Sequence, residues 1–195
     1  MPTRLTRQLD FLMSIDALKR VERASLITGG SRYENTAEHS WHVSLFALVL
    51  SEYAADAIDQ NKVLHMLLIH DIVEIDAGDQ PIHAVPNPDQ SAKELAAAKR
   101  LFGLLPLDQN EHMLTLWEEF EAATSAEAKL AKALDRLPPI LLNRANDGGS
   151  WVDYDVTRTQ LIERTKAIKV GAPRLWPEIL KIYDEAVELG WVRDA

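Results

Sequence analysis

Apolar residues recur at steps of three and four along almost the whole chain, and that spacing constrains the fold more than any other feature of the sequence. Leu5, Leu9, Leu12, Met13, Ile15 and Leu18 fall at helical intervals. A loop at Gly29-Gly30-Ser31 follows, and Asn35 with Glu38 three residues on is the pattern of a capping box. The next helix is expected over 36–57, with Val43, Phe46, Ala47, Leu50 and Ala54 as its inward stripe and His39 extending that stripe towards the N-terminus. A third helix is expected over 61–77, with Gly78 as its stop. Further helices are expected over 90–103, 107–122, 126–146, 155–169 and 174–189, the 126–146 segment kinked or divided by Pro138-Pro139. Eight Gly and nine Pro in 195 residues leave little punctuation for many short strands, and strand-like alternation is scarce. One all-α domain over 1–195 is the expectation.

The charge balance narrows the partners. A formal net charge of −9 argues against nucleic-acid backbones and anionic membranes, which call for a basic face. It leaves room for a small phosphorylated ligand, because a metal ion and a few Arg or Lys can invert the potential within one cleft. With no cysteine, neither a disulfide nor a thiolate metal site can form. The N-terminal segment lacks a signal peptide's apolar core, and no window approaches the ~18 apolar residues of a membrane span. A soluble cytoplasmic protein is expected.

Against this background the run Leu67-Leu-Ile-His-Asp-Ile-Val-Glu-Ile-Asp-Ala-Gly-Asp79 stands out, since it sets an imidazole and several carboxylates directly after a buried-looking stretch. Burying such groups without partners costs several kcal/mol, and a divalent ion is an economical compensator. Neighbouring helix positions point about 100° apart, so His70 and Asp71 reach one ion only if it sits over the edge between their faces. Further ligands must come from elsewhere. His39 and Asp135 are the candidates, the latter within the apolar run 130–137. Imidazole and carboxylate together suit a divalent metal of borderline softness. Taken alone, His39 reads as a core or capping residue, Asp135 as a solvated helix residue and Glu74 as one partner of a surface ion pair.

Three blocks carry a resemblance that changes those readings: 34–40 (ENTAEHS), 70–79 (HDIVEIDAGD) and 131–135 (AKALD). In order and spacing they resemble the H…HD…D signature of HD-domain metal-dependent phosphohydrolases, and within it the branch of bacterial 5′-deoxynucleotidases. The likeness spans about residues 15–145. It implies a single-domain HD-type helical bundle that hydrolyses nucleoside 5′-monophosphates to nucleoside and phosphate. It implies His39, His70, Asp71 and Asp135 as ligands of one divalent ion (Co, Mn, Fe, Ni, Zn or Mg). Glu74 would orient or deprotonate the attacking water, Asp79 would assist the leaving oxygen, and Arg20 would grip phosphate. Those enzymes carry an aromatic residue after this arginine, near the sugar, whereas this chain has Val21. Selectivity for deoxyribose is therefore not implied. Competing readings are a phosphodiesterase or pyrophosphohydrolase acting on another nucleotide, and a non-catalytic nucleotide-binding protein.

The remaining features carry less. His42, His65, His83 and His112 lack comparable support as site residues; Glu119 and Glu121 are candidates for the cavity wall. Trp117, Trp151, Trp176 and Trp191 are expected as core or interface anchors. A homodimer is expected from the resemblance and the Leu-rich helices, and the Pro-rich segment 80–89 reads as a loop with the character of a lid.

Overall fold

The computed structural model describes residues 2–84 and 87–195. Helix α1 (Arg4–Ile15) begins at Thr3, whose side chain accepts from the Thr6 amide, and runs into a short 3-10 turn, Asp16–Arg20. Two strands follow, β1 (Glu22–Leu26) and β2 (Tyr33–Asn35), paired antiparallel. This ribbon is absent from the helical expectation. Its strands are too short for alternation to register against the helices on either side.

Asn35 ends β2 and caps α2 (Thr36–Leu50), with the reciprocal Asn35–Glu38 capping box in place. The helix stops at Leu50, so Ala54 lies beyond the stripe expected of it; Val43 and Ala47 are fully buried. Asp59 caps α3 (Gln60–Ile69). The expected single helix over 61–77 is broken after Ile69: residues His70–Val73 tighten into a 3-10 turn before the short α4 (Glu74–Ala77). Gly78 ends this run at φ 76°, a conformation that costs glycine little. The 80–89 loop is described except at Val85 and Pro86, so the lid reading falls partly outside the described residues.

Helices α5 (Gln90–Phe102) and α6 (Leu107–Ala122) come next. The 126–146 segment divides, as Pro138-Pro139 implies, into α7 (Ala126–Asp135) and α8 (Leu137–Ala145) about Arg136. The short α9 (Ser150–Asp153), α10 (Arg158–Arg164) and α11 (Lys166–Gly171) lead to α12 (Trp176–Glu188).

Helix α7 lies at the centre. It packs against α2, α3, α6, α8 and α11, and Leu130, Ala131, Ala133 and Leu134 on it are fully buried. Small residues allow the closest of these approaches. A Cβ placed on Gly171 of α11 would sit 2.1 Å from the Lys129 carbonyl oxygen and 2.9 Å from the Ala133 Cβ. The contact is with backbone, which cannot swing aside as a side chain can. Gly171→Ala is therefore expected to force α11 off α7 and to destabilise the protein by about 1–3 kcal/mol, read as a drop in thermal midpoint. An unchanged midpoint would mean the two helices are not held as closely as described.

Candidate metal centre

Three helical segments deliver the site. His39 sits in the first turn of α2, where the Asn35 cap fixes the helix entry. His70 and Asp71 open the 3-10 turn after α3, and Asp135 is the last residue of α7. The tightened turn replaces the regular helix expected at His70-Asp71 and sets how these two neighbours converge.

The four side chains meet inside the protein. His39 Nε2 lies 3.0 Å from Asp135 Oδ1 and 3.8 Å from Asp71 Oδ2. His70 Nε2 lies 3.1 Å from Asp71 Oδ2 and 3.4 Å from Asp135 Oδ1. Donor atoms held about 2.0–2.2 Å from one cation are spaced by roughly 3–3.6 Å in a tetrahedral or octahedral shell. Three of the four observed spacings fall in that range, and the fourth, between His39 and Asp71, is slightly longer. His39, His70 and Asp135 are buried with potential ligand atoms all within 4.8 Å of one another. His70 Nδ1 donates to the Leu67 carbonyl at 2.8 Å, which turns Nε2 towards the cluster, where it is buried without a hydrogen-bond partner. A buried nitrogen orphaned in this way, facing two carboxylates, is what a divalent cation would satisfy. The donor set fits such an ion.

Helix α6 holds His70 from behind. The Trp117 indole donates to the His70 carbonyl at 3.1 Å, and the Phe120 ring meets the imidazole edge-on at 5.0 Å. Lys132 lies over Phe120, 3.9 Å from the ring centre, and donates to Glu121. Trp117 is thus a core anchor with a direct bearing on the site. Glu121 lines the cleft, while Glu119 pairs with Lys62 on another surface.

The second half of the site is acidic and is organised by one arginine. Arg23, on β1, places Nη1 2.9 Å from Asp71 Oδ2 and 3.6 Å from both Glu74 Oε1 and Asp79 Oδ1. Its Nε lies 3.8 Å from Glu34 Oε2. Arg20, three residues earlier, is exposed at the end of the 3-10 turn and has no ion pair with the cluster among the described residues. The cation that the structure brings to Glu74 and Asp79 is therefore Arg23. Sequence reasoning passed over it because the ribbon that turns it inward was not foreseen. Glu34 was passed over as well. It is buried on β2, 3.4 Å from His39 Nδ1, and its position just ahead of the capping box was the available signal.

Titration behaviour follows from this crowding. Burial disfavours a charged His70 ring, but Asp71 and Asp135 outweigh it and raise the imidazole to about 10. Burial also opposes ionisation of Asp71, yet His70 and Arg23 take its carboxyl below the usual range. Asp135 is likewise held low, against burial, by Arg136, His39 and His70. Glu74 goes the other way: burial, then the charge of Asp71, pushes it up to about 9 despite Arg23, while Thr36 donates to its Oε2 at 2.8 Å. Asp79 is raised for the same reasons, burial first. The site therefore contains two carboxylates held ionised against the cation position and two poised to hold protons.

Comparison with known proteins agrees with this architecture. A family described as "HD domain" matches residues 15–176. Human "5′-deoxynucleotidase HDDC2" is 33% identical over 135 residues, which cover 68% of this chain and 65% of that protein. The matched region thus spans just under two thirds of the human relative. A crystal structure of a "predicted metal-dependent phosphohydrolase" from Magnetospirillum magnetotacticum MS-1 superposes with a TM-score of 0.93 at 46% identity, covering 97% of this chain and 95% of that one. The PH0347 protein of Pyrococcus horikoshii OT3 gives a TM-score of 0.58 at 26% identity, covering 95% and 98%. A match running through every segment that supplies the buried cluster leaves one assignment: the chain belongs to the HD-domain family.

Proposed function

We propose that the protein is a metal-dependent phosphohydrolase that releases phosphate from nucleoside or deoxynucleoside 5′-monophosphates. One observation carries the reading: four ligand-type side chains are spaced for a single cation, and three of them, His70, Asp71 and Asp135, line one cleft with Glu74, Asp79 and Arg23. The name of the human relative supports the substrate class.

His39, His70, Asp71 and Asp135 would hold one divalent ion. Such an ion supplies Lewis acidity at a phosphoryl oxygen and makes bound water a better nucleophile at neutral pH. Arg23, already desolvated among carboxylates, would trade some of those contacts for phosphate oxygens and offset charge as the phosphoryl group moves. Glu74 would take the proton from the attacking water in its ionised form, which a cation held beside Asp71 would favour by offsetting the repulsion that raises it. Asp79, raised in the same direction and beside Arg23, would deliver a proton to the leaving 5′-oxygen. Val21 packs against the core rather than presenting an aromatic face to a sugar.

The same proposal takes residues 1–195 as one domain working in the cytoplasm as a homodimer. The cysteine-free composition supports a reducing setting. Exposed Trp41, Leu45, Leu48 and Val49 on α2 offer an apolar face of the kind a second copy covers. Sedimentation at micromolar concentration should give twice the chain mass, and Trp41→Glu with Val49→Glu should shift it to one. A monomer in the unsubstituted protein removes the dimer from the reading.

Activity tests separate the roles. Metal-loaded protein should release phosphate from mononucleotides, and Asp71→Ala should abolish both metal retention and turnover. Glu74→Gln should keep the metal while kcat falls about 10²-fold or more. Arg23→Ala should lower kcat/KM by about 10²-fold through lost charge-assisted contacts, with Arg20→Ala within about twofold of the parent. Phosphate release from none of the mononucleotides would overturn the function, and equal effects of the two arginine changes would overturn the role of Arg23.

Metal uptake should also depend on pH. In the metal-free protein His70 carries a proton up to about pH 10, and that proton must leave when Nε2 becomes a ligand. Affinity is therefore expected to weaken as pH falls through neutrality, with at least one proton released per ion near pH 7. Calorimetric titration in two buffers of different ionisation heat reads this number directly; identical heats in both would rule it out.

A further inference from the structure

A second cavity opens off the metal cleft on the far side of Arg23. The two share Arg23, Asp79, Gln80, Pro81, Ile82 and Arg136 in their walls, so a molecule with its phosphate in the cleft can extend into the cavity. Beyond that shared wall the lining becomes largely apolar, with Ile140, Pro139, Leu161 and the buried Trp151, and it also includes His83. The enclosed space is about 50 Å³ for the centres of water molecules, which is room for roughly four waters, or for one six-membered ring with its substituents.

Among the side chains lining this cavity, Arg23, Arg136 and His83 offer donors, beside the Ser25 hydroxyl, the Gln80 amide and the Asp79 carboxyl. Arg164 Nη1 lies 3.1 Å from His83 Nδ1. A guanidinium can only donate, so Nδ1 accepts, and the neutral ring carries its proton on Nε2. Burial, together with Arg164 and Arg136, lowers the His83 pKa to about 4, which keeps the ring in that tautomer at neutral pH. Arg136 has a carboxylate neighbour only in Asp135, at 3.6 Å, and Arg164 has none in ion-pair range among the described residues. The Ser150 and Thr165 hydroxyls are already engaged, with Asn143 and with Leu161 and Tyr183. Where a ring meets Arg136 and His83 Nε2, these donors favour an acceptor oxygen and disfavour an amino group.

We propose that this cavity receives the base of the leaving nucleoside, with Arg136 and His83 Nε2 selecting pyrimidines with a carbonyl oxygen at position 4, uracil and thymine, over cytosine, which carries an amino group there, and over adenine. The proposal rests on the mononucleotide reading above. Thymine and uracil present a carbonyl oxygen where cytosine presents an amino group, and adenine presents an amino group on a larger, two-ring base. Facing an amino group, the donors would be left unpaired in a desolvated pocket, which is how a hydrogen-bonding site rejects a near-isostere. His83 and Arg136 would act on the base alone; the phosphoryl chemistry belongs to the neighbouring cleft.

The test is kcat/KM of the metal-loaded protein on dTMP, dUMP, dCMP and dAMP, with product inhibition by thymidine and by deoxycytidine. The thymine and uracil nucleotides are expected to exceed the other two by about tenfold or more, and thymidine to inhibit at the lower concentration. His83→Phe, which keeps a ring but removes the donor, should bring the dTMP-to-dCMP ratio to within about twofold of one, while His83→Gln, which retains a donor, should preserve part of it. Comparable kcat/KM on all four nucleotides overturns the base selection but leaves the phosphohydrolase reading standing. A preference that survives His83→Phe unchanged overturns the role of His83. Should no mononucleotide be cleaved, the function itself fails and this inference with it. Product inhibition needs only the unsubstituted protein, so it decides the selection even if a His83 variant does not fold.

Discussion

Five carboxylates, those of Glu34, Asp71, Glu74, Asp79 and Asp135, lie within the interior or its edge of a helical protein, and they cannot remain there without compensating positive charge. Arg23 supplies part of it, and His70 shares the rest with whatever cation the cluster accepts. The surrounding architecture can be read as the means of holding these charges in place. Trp117 and Phe120 pin His70, the Asn35 cap orients His39, and the close α7–α11 crossing supports the helix that ends in Asp135. Core packing and site geometry are therefore one problem here, because each ligand is borne by an element whose position is set by apolar contacts.

The division of the carboxylates into two groups has a simple electrostatic origin. Asp71 and Asp135 face imidazole and guanidinium nitrogens at short range, so their ionised forms are favoured. Glu74 and Asp79 share Arg23 with Asp71, and the negative charge of Asp71 acts on both at close quarters. Burial makes that repulsion count. The result is a site in which ionised and proton-holding carboxylates are adjacent but electrostatically distinct.

Much of the fold was legible because amphipathic periodicity and end signals are local. The Asn35–Glu38 capping box, the Gly78 stop and the division of the 126–146 segment at its prolines all appear where residue chemistry places them. The departures are equally instructive. The β1–β2 ribbon is too short to generate a periodic signal, and the 3-10 turn at His70–Val73 is a local tightening that an apolar pattern continuous with helix does not announce. Those two elements decide which arginine enters the site and how His70 and Asp71 converge.

By itself, then, the sequence determined the helical class and several helix ends, because spacing along a helix and capping chemistry are properties of neighbouring residues; it named four imidazole and carboxylate side chains as candidate ligands by residue type and by the order of three blocks. It named Arg20 where the tertiary structure turns Arg23 inward, and it assigned His83 no role where the structure lines a cavity with it. Those outcomes depend on which elements pack against one another across 48 residues from Arg23 to Asp71 and 81 from His83 to Arg164. Contacts at that separation are chosen by the packing of whole faces, and no local pattern encodes them.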